Sequence, residues 1–174
     1  MNREVWDRWC ERSILGLVLA ILVLGPLALG AVRNLEFAII QALTVGVLIL
    51  WLARLWMGTQ TRVLWPPVCW GVLAVTAYVA IRYWYADIEY LARLELLHVL
   101  VYAFLFLAIL NNLHRQETIQ IVTFVLLFLA MAISFFAIYQ FITGHNNVWG
   151  MPTPYPHRGS GTYFNPNHLG GFLE

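Results

Sequence analysis

Charge is what this chain has least of. Of its 174 residues only 11% are charged, against 61% hydrophobic, and the mean hydropathy is +0.72. A soluble domain of this length needs more charge to cover its surface, so the composition excludes one and points to an integral membrane protein. Lysine is absent altogether: the 10 basic side chains are all arginine. With 9 acids the formal net charge is +1, so nothing suggests a nucleic-acid partner. The two cysteines, Cys10 and Cys69, have no spacing suited to a metal or a redox pair, and read as apolar filler. The first apolar run lacks a small-residue cleavage site at a convincing place, so a retained first helix is expected rather than a cleaved signal peptide. Internal repeats and low-complexity linkers are missing too.

What the chain does have is apolar length. A bilayer core takes about 20 apolar residues per helix. Segments of this kind lie at Ser13 to Val32 (with Gly25-Pro26 as an expected kink), Phe37 to Ala53, within Pro66 to Ala86, Leu94 to Leu110 and Ile119 to Ile142. Another helix starts at Pro166 and is cut off at Glu174. The expected fold class is therefore all-α integral membrane: about five transmembrane helices and the start of a sixth, as part of a larger polytopic bundle. Residues 1–142 form its transmembrane part, 143–165 an external loop, and 166–174 the truncated sixth helix. Trp51, Trp56, Trp65, Trp70 and Trp84 fall near predicted helix ends, as an aromatic belt at headgroup level would place them.

Arginine placement sets the orientation. With the N-terminus in the cytoplasm, Arg3, Arg8, Arg12, Arg54, Arg62 and Arg115 are inside, and Arg33, Arg82, Arg93 and Arg158 are outside. The larger set is inside, as the positive-inside rule requires. The loop from Thr143 to Asn165 then faces outward, into the periplasm of a Gram-negative cell.

Three stretches offer chemistry. The segment IRYWYADIEYLARLELLH joins the third and fourth helices and carries Arg82, Asp87, Glu89, Arg93, Glu95 and His98. Glu89 and Arg93 are spaced to meet on one helix face. The plain reading is a solvated interfacial helix; the sharper one is a wall of an external polar cavity. His98 lies about a turn inside the fourth helix, where it is either a functional ionisable group or simply hydrogen-bonded at the interface. His145, His157 and His168 share the outer region, but their spacing matches no ligand pattern and no carboxylate or cysteine joins them, so no metal is expected.

The closing stretch, HRGSGTYFNPNHLGGFLE, says more. Asn165 suits an N-cap and Pro166 the first helical position. Leu169, Phe172 and Leu173 fall on one face of the helix that follows. Gly159, Gly161, Gly170 and Gly171 allow close approach of backbone to another helix or to a ligand. The helix N-terminus offers unpaired N–H groups and a partial positive charge, and Arg158 adds a permanent cation with a fork suited to phosphate. An outward-facing phosphate or pyrophosphate site is one reading. A well-capped helix beside a solvent-exposed arginine is the other.

Over residues 158–174 the chain resembles the O-antigen ligase/polymerase family of bacterial envelope enzymes. Members carry an arginine, then G-T-F, a short gap, and N-x-N followed by L-[AG]-x-[FY]-L. The matching residues are Arg158, Gly161, Thr162, Tyr163 or Phe164, Asn165, Asn167, Leu169, Gly171, Phe172 and Leu173. The resemblance implies a polytopic inner-membrane glycosyltransferase without metal or other cofactor. Such an enzyme moves a glycan from an undecaprenyl-diphosphate carrier to lipid A-core, to another glycan or to a protein, in cell-envelope polysaccharide synthesis. It implies that arginines hold the diphosphate and that a histidine helps to activate the acceptor. Carried onto this chain, Arg158 becomes the catalytic diphosphate clamp. Asn165 and Asn167 cap the helix and shape the donor site, and His168 adjoins it. The family's catalytic histidine and a further arginine lie in a later periplasmic loop with no counterpart here. The chain is therefore expected to be an N-terminal piece, inactive on its own.

Two rivals differ in class. Asn-Pro-Asn at a helix start also occurs in channels and transporters, whose motifs sit at mid-membrane and recur; this chain has one copy, after a polar loop. A small non-catalytic membrane protein is the other rival, against which the unfinished last helix stands.

Overall fold

The computed structural model describes residues 3–31, 33–57, 63–145 and 147–174. Val32, the expected end of the first helix, and Arg62, one of the inside arginines, lie outside the described residues, as does the side chain of Arg3.

The fold is all-α apart from one short ribbon. Helices α1 (Arg3–Leu27), α2 (Asn34–Trp56), α3 (Val68–Trp84), α4 (Glu89–Asn112) and α5 (Gln116–Thr143) come first. Strands β1 (Asn147–Val148) and β2 (Met151–Pro152) and helix α6 (Pro166–Leu173) follow. Among the described residues, four helices are long and apolar enough to cross a membrane: Val5–Leu27 of α1, then α2, α4 and α5. Helix α3, at 17 residues, is a shorter apolar helix. It starts only at Val68 because Pro66 and Pro67 precede it; their carbonyls accept from the N–H groups of Cys69 and Trp70.

Helix boundaries depart from the apolar runs in ways that local chemistry explains. Helix α1 is already helical at Arg3 rather than at Ser13. Cys10, Ile14, Val18 and Ile21 are buried at spacings of three and four, so its inward face extends into the polar start. Gly25-Pro26 does not kink α1 in mid-course but brings it to an end. Pro26 has no N–H, and its ring crowds the carbonyl one turn back. The chain leaves through a 3-10 turn, Leu29–Ala31, with φ of 57°, 74° and 54° at Leu29, Gly30 and Ala31. Helix α4 begins at Glu89 rather than Leu94, since an acidic first turn followed by good helix formers extends it outward. The segment from Ile81 to His98 is thus no separate interfacial helix. It is the end of α3, a short connection and the first turns of α4.

The chain divides into two compact units. The first takes Met1–Leu15 and Thr44–His114. Near the end of α2, Arg54 is only 7% exposed. Its Nε and Nη2 donate to the two carboxylate oxygens of Asp7 at 2.8 and 3.1 Å, and Nη1 donates to Asn112 Oδ1 at 2.7 Å. Glu11 lies 4.0 Å away. Asn112 in turn donates to Ala108 O at 2.8 Å. Its neighbour Asn111 accepts from the Leu64 N–H at 2.7 Å and donates to Leu107 O at 2.9 Å, tying the stretch before α3 to the end of α4. Trp51 is buried against Phe104, ring centroids 5.8 Å apart, so it belongs to this core and not to an aromatic belt. Trp56, Trp65, Trp70 and Trp84 are exposed.

The second unit takes Gly16–Leu43 and Arg115–Glu174. Its core is a row on α5, Leu129, Ile133 and Ala137, at a spacing of four. Tyr163 and Leu169 pack on this row, with Leu27 and Phe172 at its margin.

Arg54→Met should be among the most destabilising single changes in the chain. It strands a mostly buried carboxylate and a buried carboxamide, a loss of about 3 kcal/mol or more. Arg54→Lys should fail to restore the lost stability, because an ammonium lacks the fork that engages both Asp7 oxygens. Thermal unfolding in detergent, followed by helical circular dichroism, measures both.

Candidate functional site

Arg158, Asn165, Asn167 and His168 lie on the segment that follows α5. Gly144, at φ 67° and ψ 15°, closes that helix as a left-handed C-terminal residue. A tight hairpin follows, with Asn147 paired to Pro152 and Val148 to Met151. Its turn residues Trp149 and Gly150 both have positive φ, 50° and 81°, the backbone a two-residue hairpin turn requires. A tryptophan tolerates this because its ring is tied down: the indole N–H donates to Leu27 O at 2.8 Å. Leu27 is the last residue of α1, where carbonyls have no partner within the helix. Thr162 serves a second such carbonyl, its hydroxyl donating to Pro26 O at 2.7 Å. Two residues of the loop therefore cap the C-terminus of α1.

A buried carboxamide seats the rest. Gln140, on α5, is 3% exposed. Its Oε1 accepts from the backbone N–H of Ser160 and of Gly161, at 3.0 and 2.8 Å. Its Nε2 donates to Gly161 O at 3.0 Å, with a longer contact to Asn147 O at 3.4 Å. The loop lies so close to α5 that a Cβ at Gly159 would overlap the backbone carbonyl of Ala137. At Gly161 a Cβ would meet Ile133 Cγ2 at 2.6 Å, and φ there is +60°. The expected close approach is real at these two glycines, and its partner is α5. At Gly170 and Gly171 a Cβ would meet nothing, so these positions are open.

Helix α6 begins as its chemistry requires. Asn165 is its N-cap, its Oδ1 accepting from the Asn167 N–H at 2.9 Å, and Pro166 follows at the start of the helix. Leu169 is buried and Phe172 packs beside Tyr163, ring centroids 5.9 Å apart. Leu173, expected on the same face, is exposed. Burial pushes the Tyr163 phenol up to about 12, so it is no acid or base at neutral pH.

The structure brings Asn165, Asn167 and His168 together in the first turn of α6, with Asn167 and His168 exposed. Arg158 is exposed on the approach to the seated loop and has no partner among the described residues. The outer histidines do not converge. His145 stands beside the Tyr139 ring, and His157 takes a positive φ of 62°. In the first unit, His98 Nδ1 lies 2.8 Å from Leu94 O, the bond of a histidine satisfied by its own helix. Glu89 and Arg93 do not form the expected pair. Arg93 stands over the Tyr90 ring at 6.0 Å, and Glu89 has a long contact with the Tyr83 hydroxyl.

Two residues carry no signal in the sequence. Gln140 sits in an unbroken apolar run. Arg33 lines a cavity of about 380 Å³ with Leu29, Met151 and Phe164, its guanidinium 3.8 Å from Met151 Sδ and 3.7 Å from a Glu36 oxygen. No family model matches the chain, and no curated protein or solved structure matches it either.

Gln140→Leu keeps the volume of the side chain but leaves two buried N–H groups unanswered. Limited trypsinolysis should cut after Arg158 about tenfold faster in this variant, as local opening becomes easier by the worth of those bonds. Gln140→Glu, which keeps the two acceptor contacts, should show a smaller change.

Proposed function

We propose that this chain is part of a glycan-transferring membrane enzyme of the O-antigen ligase type. It works on an undecaprenyl-diphosphate-linked donor at the periplasmic face of the bacterial inner membrane. In this reading α1 to α5 all cross the bilayer within a larger polytopic bundle; the 17 residues of α3 stand at the short end of the ~17–25 range that suffices. The N-terminus is cytoplasmic and residues 143–165 are periplasmic.

One observation carries the reading. In the stretch from Arg158 to His168 the residues from Gly159 to Tyr163 are packed or buried, while Arg158, Asn167 and His168 are exposed. Gly159, Ser160, Gly161, Thr162 and Tyr163 lock onto α5 and the end of α1. A capped helix start behind an unpaired arginine is chemistry suited to an anion.

In transfer, an acceptor hydroxyl attacks the sugar's anomeric carbon and gives its proton to a base, the histidine that the resemblance places in a later loop, while the bond from that carbon to the diphosphate oxygen breaks and the diphosphate leaves with its charge. Arg158, as the catalytic clamp, neutralises that charge through paired charge-assisted hydrogen bonds. The Asn165 oxygen is committed to the helix cap, so its part is to fix the N-terminus of α6 rather than to touch the donor. Asn167 and His168 flank the same point. The acceptor is lipid A-core, another glycan or a protein.

Undecaprenyl diphosphate titrated onto the purified chain in detergent should bind, and Arg158→Gln should weaken binding about tenfold or more, the worth of a charge-assisted contact. Arg158→Lys should not restore it, since the ammonium is a point charge. Equal binding by all three proteins would sink the assignment. Sidedness has its own check. Cys10 and Cys69 are buried, so a cysteine placed at exposed Pro154 should be the one labelled by a membrane-impermeant maleimide from the periplasmic side. Labelling only after the inner membrane is opened would reverse the orientation.

A further inference from the structure

The seam between α3 and α4 holds two cavities of opposite character. One, of about 530 Å³, is bounded by Val68, Gly71 and Val75 from α3 and by Ala103 and Phe106 from α4. Nothing in it seeks a polar partner: Thr76, on its wall, donates its hydroxyl to Val72 O at 2.8 Å. The other, of about 350 Å³, is bounded by Tyr78, Arg82 and Tyr83 from α3 and by Ala92 and Glu95 from α4. Along α3 the positions 68, 71, 75, 78 and 82 step by three and four, and along α4 so do 106, 103, 99, 95 and 92, counting Val99, which lines the first cavity. The cavities are thus successive stretches of one face-to-face groove. From Val68 to Arg82 it runs about 21 Å at 1.5 Å per residue, more than one leaflet's half of the ~30 Å hydrocarbon core.

The polar end is charged in both senses. Arg82 and Glu95 line the same cavity, yet among the described residues neither has a partner, and they do not pair with each other. A second copy or another apolar helix would cover the groove but leave both charges unanswered. An anionic lipid would answer Arg82 and face repulsion from Glu95. A molecule with phosphate and ammonium in one headgroup, on a hydrocarbon tail, answers both.

We propose that the α3–α4 groove binds one zwitterionic phospholipid, with its phosphate on Arg82, its ammonium on Glu95 and an acyl chain along the apolar stretch. This site stands apart from the glycan-transfer reading and uses none of its residues.

Native mass spectrometry of the intact 174-residue chain, titrated with phosphatidylethanolamine or phosphatidylglycerol, tests it. One phosphatidylethanolamine should be retained, in preference to phosphatidylglycerol by about tenfold, the worth of one charge-assisted contact. Arg82→Gln should lower retention of both lipids. Glu95→Gln should remove the preference while phosphatidylglycerol still binds, an effect that misfolding would not mimic. Gly71→Leu, at a position where a Cβ meets nothing, should fill the groove and weaken both lipids without altering their ratio. Equal retention of the two lipids by the wild type, or a preference that survives Glu95→Gln, would overturn the proposal. So would a dimer that forms without lipid and is broken by Gly71→Leu.

Discussion

Polar groups buried away from water must find their partners within the protein. The Gln140 carboxamide is where the second unit meets that demand. One side chain on α5 answers two backbone N–H groups and a carbonyl of a segment some twenty residues further on. The glycines are a consequence of it. A loop held by a short side chain comes close to the helix, and at Gly159 and Gly161 there is no room for a Cβ. The exposed position of Arg158 follows in turn, as it directly precedes the seated stretch.

The first unit meets the same demand with charge. Arg54 spends its fork on Asp7 and its remaining amine on Asn112, while Asn111 behaves like a piece of backbone, accepting from and donating toward Leu64. A buried ion pair is poor evidence of net stability, because desolvation offsets much of the attraction. The start of α1 and the ends of α2 and α4 have one arrangement in which all of these hydrogen bonds close.

The legible parts of this molecule are the local ones. Long apolar runs announce helices, and the cap of α6 is readable because an asparagine followed by proline acts on its own neighbours. The need for close approach at Gly159 and Gly161 is also visible, though not that α5 is the partner. What stayed hidden depends on elements distant in sequence. Gln140 lies in an apolar run with nothing to mark which way it points, and Trp51 looks like a belt residue until its contact with Phe104 is known. Arg54 counts as one more basic residue at a helix end until three helix ends are brought together. The Trp149-Gly150 hairpin escaped because its strands are only two residues long and tryptophan is an unusual occupant of a left-handed turn position. The helices α1 and α4 begin ahead of their apolar runs for a related reason: hydrophobicity marks the apolar stretch, whereas helix formation continues beyond it.

Where α1 stops has a consequence in time as well as in space. The carbonyls of Pro26 and Leu27 are met by side chains 136 and 122 residues later in the chain. During synthesis at roughly 5–20 residues per second, the end of the first helix waits on the order of ten seconds for those partners to emerge. Until then its carbonyls need water or lipid headgroups. The end of a helix made early is thus closed by side chains made much later.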